Sequence, residues 1–280
     1  MMSTTHICAH RSWWKINVRE LWEYRDLLRM LVLRDLTAVY KQTMLGPLWY
    51  FIQPLVTTII FTVIFGQVAK VPTDGVPQFI FYMSGTVLWN YFAGCMTQAG
   101  NSLVGNMNVL TKVYFPRLVM PISAVATNLA HLGLNFAMFL GFYLYFLFFR
   151  HAEMSLQWAV LGFPLLVVQC AMLGLAIGLW IAGLTTKYRD LSFALPFLTQ
   201  VWMYLTPIVW PASQIQNPGL RGLLWLNPMA FPVECGRWMF TGAGTVSWEA
   251  GAVCAGVTVF LLATGLFLFN RVQRNFVDTI

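Results

Sequence analysis

The residues of this chain that could do chemistry are few, and none is spaced for catalysis. No Gly-x-x-x-x-Gly-Lys phosphate loop, no His-Glu-x-x-His and no pair of carboxylates inside an apolar run occurs. Five scattered cysteines (Cys8, Cys95, Cys170, Cys235, Cys254) include no Cys-x-x-Cys, which argues against a zinc site or a structural disulfide. Binding groups remain. Lys112 and Arg117 are the only charges between Gly75 and Phe149, and Tyr114 and Phe115 stand between them. Two aromatics, read as exposed, beside two cations suit docking into a partner's groove better than a solvated turn. Trp49, Gln53 and Thr57 recur at i, i+4 and i+8, and Phe193, Phe197, Gln200 and Tyr204 share roughly one helical face. Amides hydrogen-bond hydroxyls and rings stack on sugar faces, so both faces suit the path of an amphiphile. Ordinary helix packing is the alternative. Asn128, His131 and Asn135 form a polar face read as interhelical hydrogen bonding. A proton relay would need acidic partners, which the apolar runs lack. Glu234 and Arg237, three residues apart, are read as neutralising each other.

These groups lie in a chain of 280 residues, 58% hydrophobic and only 10% charged. Soluble domains carry about 25% charged residues, so the fold class expected is an all-α polytopic membrane protein. The net charge of +7 comes without a Lys/Arg run or a DNA-reading motif. It fits orientation in a membrane, with no nucleic-acid partner.

Residues 1–46 are polar and charged, which argues against a cleavable signal peptide. Within them, Trp14, Val18, Leu21, Leu28, Val32, Leu36 and Val39 face away from Lys15, Arg19, Glu23 and Asp26. This pattern predicts an amphipathic helix in the interface plane, with Trp13, Trp14 and Trp22 at headgroup level. A soluble helix packed on a partner is the alternative. Residues 47–280 then divide into six expected spans, near 47–68, 78–102, 118–149, 156–185, 191–210 and 250–269. The third is long enough to require tilt, a break or protrusion. Gly174 and Gly178 in the fourth predict a close helix approach. Segment 211–246 is apolar but repeatedly broken by Pro, Gly and Asn-Pro, and two short re-entrant helices fit it best. On this map thirteen Lys and Arg fall on the side of the termini and four on the other. That asymmetry puts both termini in the cytoplasm.

Arg34-Asp35-Leu36, the run Tyr40 to Trp49, and Gln53-Pro54-Leu55 resemble the entry to the first span of type-2 ABC (ABC-2) exporter permeases for polysaccharides. The run Lys112 to Leu118 with Pro121 resembles that family's coupling region. Lys187 to Asp190, Leu195-Pro196-Phe197, Thr206-Pro207 and Asn227-Pro228 resemble its later landmarks, in the right order. The resemblance implies a homodimer in the bacterial inner membrane, carrying two separate ATP-binding subunits. ATP and Mg would be bound there, so this chain would be a transport subunit without cofactor or metal, and not an enzyme. It implies that loop 105–117 docks on the ATPase through Lys112, Tyr114, Phe115 and Arg117. The N-terminal helix would gate the cytoplasmic face through Arg34, Asp35, Tyr40 and Lys41. Trp49, Gln53, Thr57, Phe197, Gln200 and Tyr204 would line the channel, and Glu234 and Arg237 would lie in the re-entrant segment. The implied substrate is undecaprenyl-linked polysaccharide, with O-antigen ahead of capsule or teichoic acid. Export of a small lipo-oligosaccharide or drug is the alternative. A membrane-embedded transferase fits less well, because Asp190 and Glu234 lack partner acids or histidines. If the topology holds, a tag after Arg150 is reached by impermeant reagents from outside intact cells, and one after Ile280 only after lysis. The reverse labelling would overturn it.

Overall fold

The computed structural model describes residues 18–42, 46–107, 115–186, 188 and 190–275; for 18–20, 39–42, 47 and 273–275 it describes the backbone alone. The described residues are all-helical apart from turns and loops. Two short helices, α1 (Val18–Glu23) and α2 (Arg25–Gln42), precede α3 (Trp49–Phe61), which runs on as a π-helix over Thr62–Val68. Then come α4 (Gln78–Gly105), α5 (Val119–Phe149), α6 (Phe163–Thr185), α7 (Leu191–Leu205), α8 (Pro218–Leu226), α9 (Ala230–Thr241) and α10 (Trp248–Asn275).

The start of the chain buries one helical stripe that includes Leu21 and Leu28 of the expected set but centres on Leu31. Leu31 is buried and Leu21, Tyr24, Leu27 and Leu28 are partly buried against Phe115, Val119 and Met120, while Trp22 and Arg25 face outward. Spacings of three and four put one stripe of this helix pair on the start of α5.

α4 is the centre of the molecule, packed against α3, α5, α6, α7 and α9. Small residues let it be so. A Cβ on Gly174 of α6 would stand 2.6 Å from the Cβ of Cys95, and one on Gly178 would stand 2.6 Å from that of Ala99. The reciprocal notch is Gly100, where Ile181 enters. The close helix approach expected from Gly174 and Gly178 is therefore the α4–α6 contact. Where lipid tails are as apolar as the side chains, such packing is a main source of helix association. Gly265 does the same for α10, whose backbone comes against that of α6 at Ala176.

Among the described residues, four helical segments are long and apolar enough to cross a membrane: Trp49–Val68, Val119–Phe149, Trp158–Thr185 and Trp248–Val272. α5 is unbroken over its 31 residues, which removes a break from the options for the third expected span. α4 is long but carries Ser84, Thr86, Asn90, Thr97, Gln98, Asn101 and Ser102, and α7 has only 15 residues. The turns at 69–77 and 150–157 and the segment 206–247 gather at one end, joined by Asp74 to Ser213 and by Gln157 N–H to Met239 O. α2, Asn106 and Phe115 gather at the other, the basic end.

Gly178→Leu should force α6 off α4, whereas Gly133→Ala should be tolerated because nothing lies within 4 Å of the new Cβ. Overpacking of this kind costs about 1–3 kcal/mol or more. Thermal unfolding of the purified protein should show a clear drop for the first variant and little change for the second.

Candidate functional site

At the basic end a polar cavity of about 360 Å³ opens between α2, α4 and α5. Arg34 and Asp35 stand at its edge, paired at 2.7 Å, and Arg34 donates to Asn106 Oδ1 at 3.0 Å. Thr97, Gln98 and Asn101 line its α4 wall, and Ser123 its α5 wall. Gln98 Oε1 accepts from Asn128 Nδ2 at 2.8 Å, so one member of the expected Asn128–His131–Asn135 face does bond between helices. His131 instead stacks on Tyr50 of α3 with ring centroids 4.0 Å apart. Asn135 Oδ1 is buried with no partner among the described residues.

The loop beside this cavity differs from its reading in one respect. Phe115 is not exposed: it is 5% accessible and seated against Leu31, Val119 and Met120. The apolar stripe of α2 needs cover at that point, and a ring four residues before α5 supplies it. Lys112 and Tyr114 lie outside the described residues, as do the side chains of Tyr40 and Lys41; Arg117 opens the turn into α5.

At the far end Glu234 and Arg237 are both 1% exposed and meet at 2.7 Å. Each is held by more than the other. Arg237 donates to Pro207 O at 2.8 Å, and its guanidinium carbon lies 3.7 Å from the Phe81 ring centroid. The Glu234 carboxylate accepts from the N–H groups of Ala212 and Thr245, each at 3.2 Å. Such added partners are what make a buried ion pair tolerable; one donor of the pair, Arg237 Nε, is buried with no partner among the described residues. Asn227 makes a second knot: its Oδ1 accepts from Trp202 Nε1 and from its own helix start at Met229 N–H, while its Nδ2 donates to Thr206 Oγ1. The Thr206-Pro207 and Asn227-Pro228 landmarks therefore touch.

The two mixed faces are outward. Trp49 and Gln53 on α3 are exposed, as are Phe193, Phe197, Gln200 and Tyr204 on α7. Thr57 is half-buried and turns its hydroxyl back to Gln53 O at 3.0 Å. Gln200 Nε2 donates to Tyr204 Oη at 3.2 Å, linking two members of the α7 face.

Residues 26–241 match the model of the ABC-2 type transporter family. The chain belongs to that family. The O-antigen export system permease protein RfbA of Myxococcus xanthus is similar to it, with 31% identity over 94% of this chain and 98% of its own length. A protein of the same name from Klebsiella pneumoniae is 28% identical over 91% of this chain and 95% of its own. The ABC-2 match begins in α2 and ends with α9, so it takes in the cavity, the loop and the buried pair. This membership makes the chain the membrane-embedded transport component, a multi-pass protein.

Sequence reasoning missed Gln98, Asn101 and Asn106 as a group. Gln98 and Asn101 are one helical turn apart within an uncharged run, the same signal that drew attention to Asn128 and Asn135. Phe81 and Ser213 carried no such signal, because each acts through a partner distant in sequence.

Arg237→Met leaves a buried carboxylate without its cation, which should cost about 3–5 kcal/mol. Adding Glu234→Gln removes the stranded charge and should recover part of that loss. Unfolding midpoints of the ABC-2 permease and the two variants in one detergent would check both.

Proposed function

We propose that this chain is the membrane subunit of an ATP-driven exporter of undecaprenyl-linked polysaccharide, O-antigen foremost, in the bacterial inner membrane. The observation that carries this reading is the 31% identity, over 94% of the chain, to a protein named as an O-antigen export permease.

On this reading α3, α4, α5, α6, α7 and α10 are six crossings. α4 meets neighbouring helices on most sides, so its polar residues are compatible with a span. α7 is about 22 Å long and falls short of a hydrocarbon core of about 30 Å; local thinning, or the chain to Trp210, makes up the difference. Both termini lie in the cytoplasm with thirteen of the seventeen basic residues. Segment 211–246, with α8 and α9, enters from the outer side and returns to it. The Glu234–Arg237 pair supports this depth, since each charge is neutralised within the protein.

Two copies of the permease assemble with two ATP-binding subunits, which hold ATP and Mg. Loop 105–117 docks on the ATPase through Lys112, Tyr114 and Arg117. Phe115 takes a different part: it anchors the loop to Leu31 of α2, so a push on the loop also moves the gate that holds Arg34, Asp35, Tyr40 and Lys41. Trp49, Gln53 and Thr57 of α3, with Phe197, Gln200 and Tyr204 of α7, line the path between the two copies. Rings for stacking and amides for hydroxyls suit a hydrated glycan moving past without a fixed binding pose.

Deleting the gene should remove polymer from the cell surface and trap its lipid-linked form inside, with both restored by the wild-type copy. Normal surface polymer with no internal build-up would reject a polysaccharide substrate and favour a small lipo-oligosaccharide or drug.

A further inference from the structure

The cavity at the basic end has a chemistry of its own. It runs along α4 from Thr97 to Asn106, a rise of about 13 Å at 1.5 Å per residue. Its volume of about 360 Å³ falls within the range of about 300–1,000 Å³ usual for small-molecule sites. Its described lining carries one cation and one anion, Arg34 and Asp35, so it has no net charge.

The hydrogen-bonding groups left over face two ways. Arg34 is oriented by Asp35 and Asn106 through Nε and Nη2, which leaves Nη1 without a partner among the described residues. Gln98 uses its Oε1 on Asn128, so its amide N–H groups remain. The Asn101 side chain, exposed on the α4 wall, makes no hydrogen bond among the described residues. Asp35 Oδ2 remains as an acceptor. The lining thus offers both free donors and free acceptors and has no net charge. A phosphate is only an acceptor, prefers an excess of cationic donors and would meet the Asp35 carboxylate. A sugar hydroxyl is donor and acceptor at once and matches such a wall. Polar groups at membrane depth that do not pair with one another mark a water-filled or ligand-filled path.

We infer that this slot binds an uncharged sugar ring of the lipid-linked glycan, within a single copy of the chain and separate from the aromatic faces of α3 and α7. Asn101 and Gln98 contact the ring's hydroxyls, and Arg34 closes the slot from α2. The inference rests on the reading of the chain as a glycan exporter. Sugar binding here bridges α2 to α4 and α5, so the gate helix is held in place while a glycan occupies the slot.

The test uses the permease in complex with its ATP-binding subunit, in inverted membrane vesicles. Asn101→Cys is introduced with Cys8→Ser, since the other four cysteines are buried. The probe is a membrane-impermeant maleimide. Vesicles come from cells making no lipid-linked polymer, or from cells whose polymer is trapped by an ATPase-dead partner. Phe197→Cys serves as the second reporter. Labelling of Asn101→Cys should fall about fivefold or more in polymer-loaded vesicles. Asn101→Leu should lower export about fivefold, as loss of one or two hydrogen bonds implies, while the ATPase still co-purifies. Equal labelling with and without polymer, or none in either, overturns the slot. Protection of Phe197→Cys alone also overturns it and leaves the exporter reading intact. If polymer does not accumulate behind the dead ATPase, the exporter reading fails and the slot falls with it.

Discussion

Close approach of helices through glycine is the constraint on which this fold depends. α4 packs against five other helices, and it can do so because Gly100, Gly174 and Gly178 remove the side chains that would hold α6 away. A hydrophobic driving force between helices is weak in lipid, so interlocking surfaces and internally paired polar groups hold the bundle. Once α4 is central, the remaining helices are ordered by what they can bury against it. α3 and α7 pack on it less extensively than α5 and α6 do and keep broad outward faces.

Polar groups in this bundle are knotted in two places, and the knots differ in kind. At the far end Glu234, Arg237 and Asn227 make most of the hydrogen bonds open to them, backbone groups completing what the side chains leave, although Arg237 Nε is buried with no partner among the described residues. Together they tie α9 to the 207–212 segment, to the loop after Gly242 and to the start of α4. At the basic end Arg34, Gln98 and Asn101 are only part-engaged and line open volume. A well-satisfied polar network rigidifies the part of the fold that holds it.

The location of Phe115 bears on how such a molecule would transmit motion. Leu31 and Arg34 stand one turn apart on α2; the first packs on Phe115 and the second bonds Asn106. These two contacts lie on either side of residues 107–114. Both edges of that stretch are thus fastened to one helix.

Much of this was legible in the chain itself. Apolar runs with thirteen basic residues on one side of the map and four on the other determined the all-helical class and the grouping of turns into two ends, because burial and charge placement act on local stretches. The apolar stripe holding Leu21 and Leu28, the Gly174–Gly178 notch and the i, i+3 pairing of Glu234 with Arg237 were legible for the same reason, since each is a short-range pattern; Leu31, the buried centre of the first, lay outside the stripe as read. What only the tertiary structure decided are encounters between residues far apart in sequence. Phe115 meets Leu31, Arg237 meets Phe81, Asn227 meets Thr206, and Gln98 meets Asn128. Whether an aromatic in a loop is exposed or buried, and whether an amide is used or left over, depends on which distant surface arrives beside it.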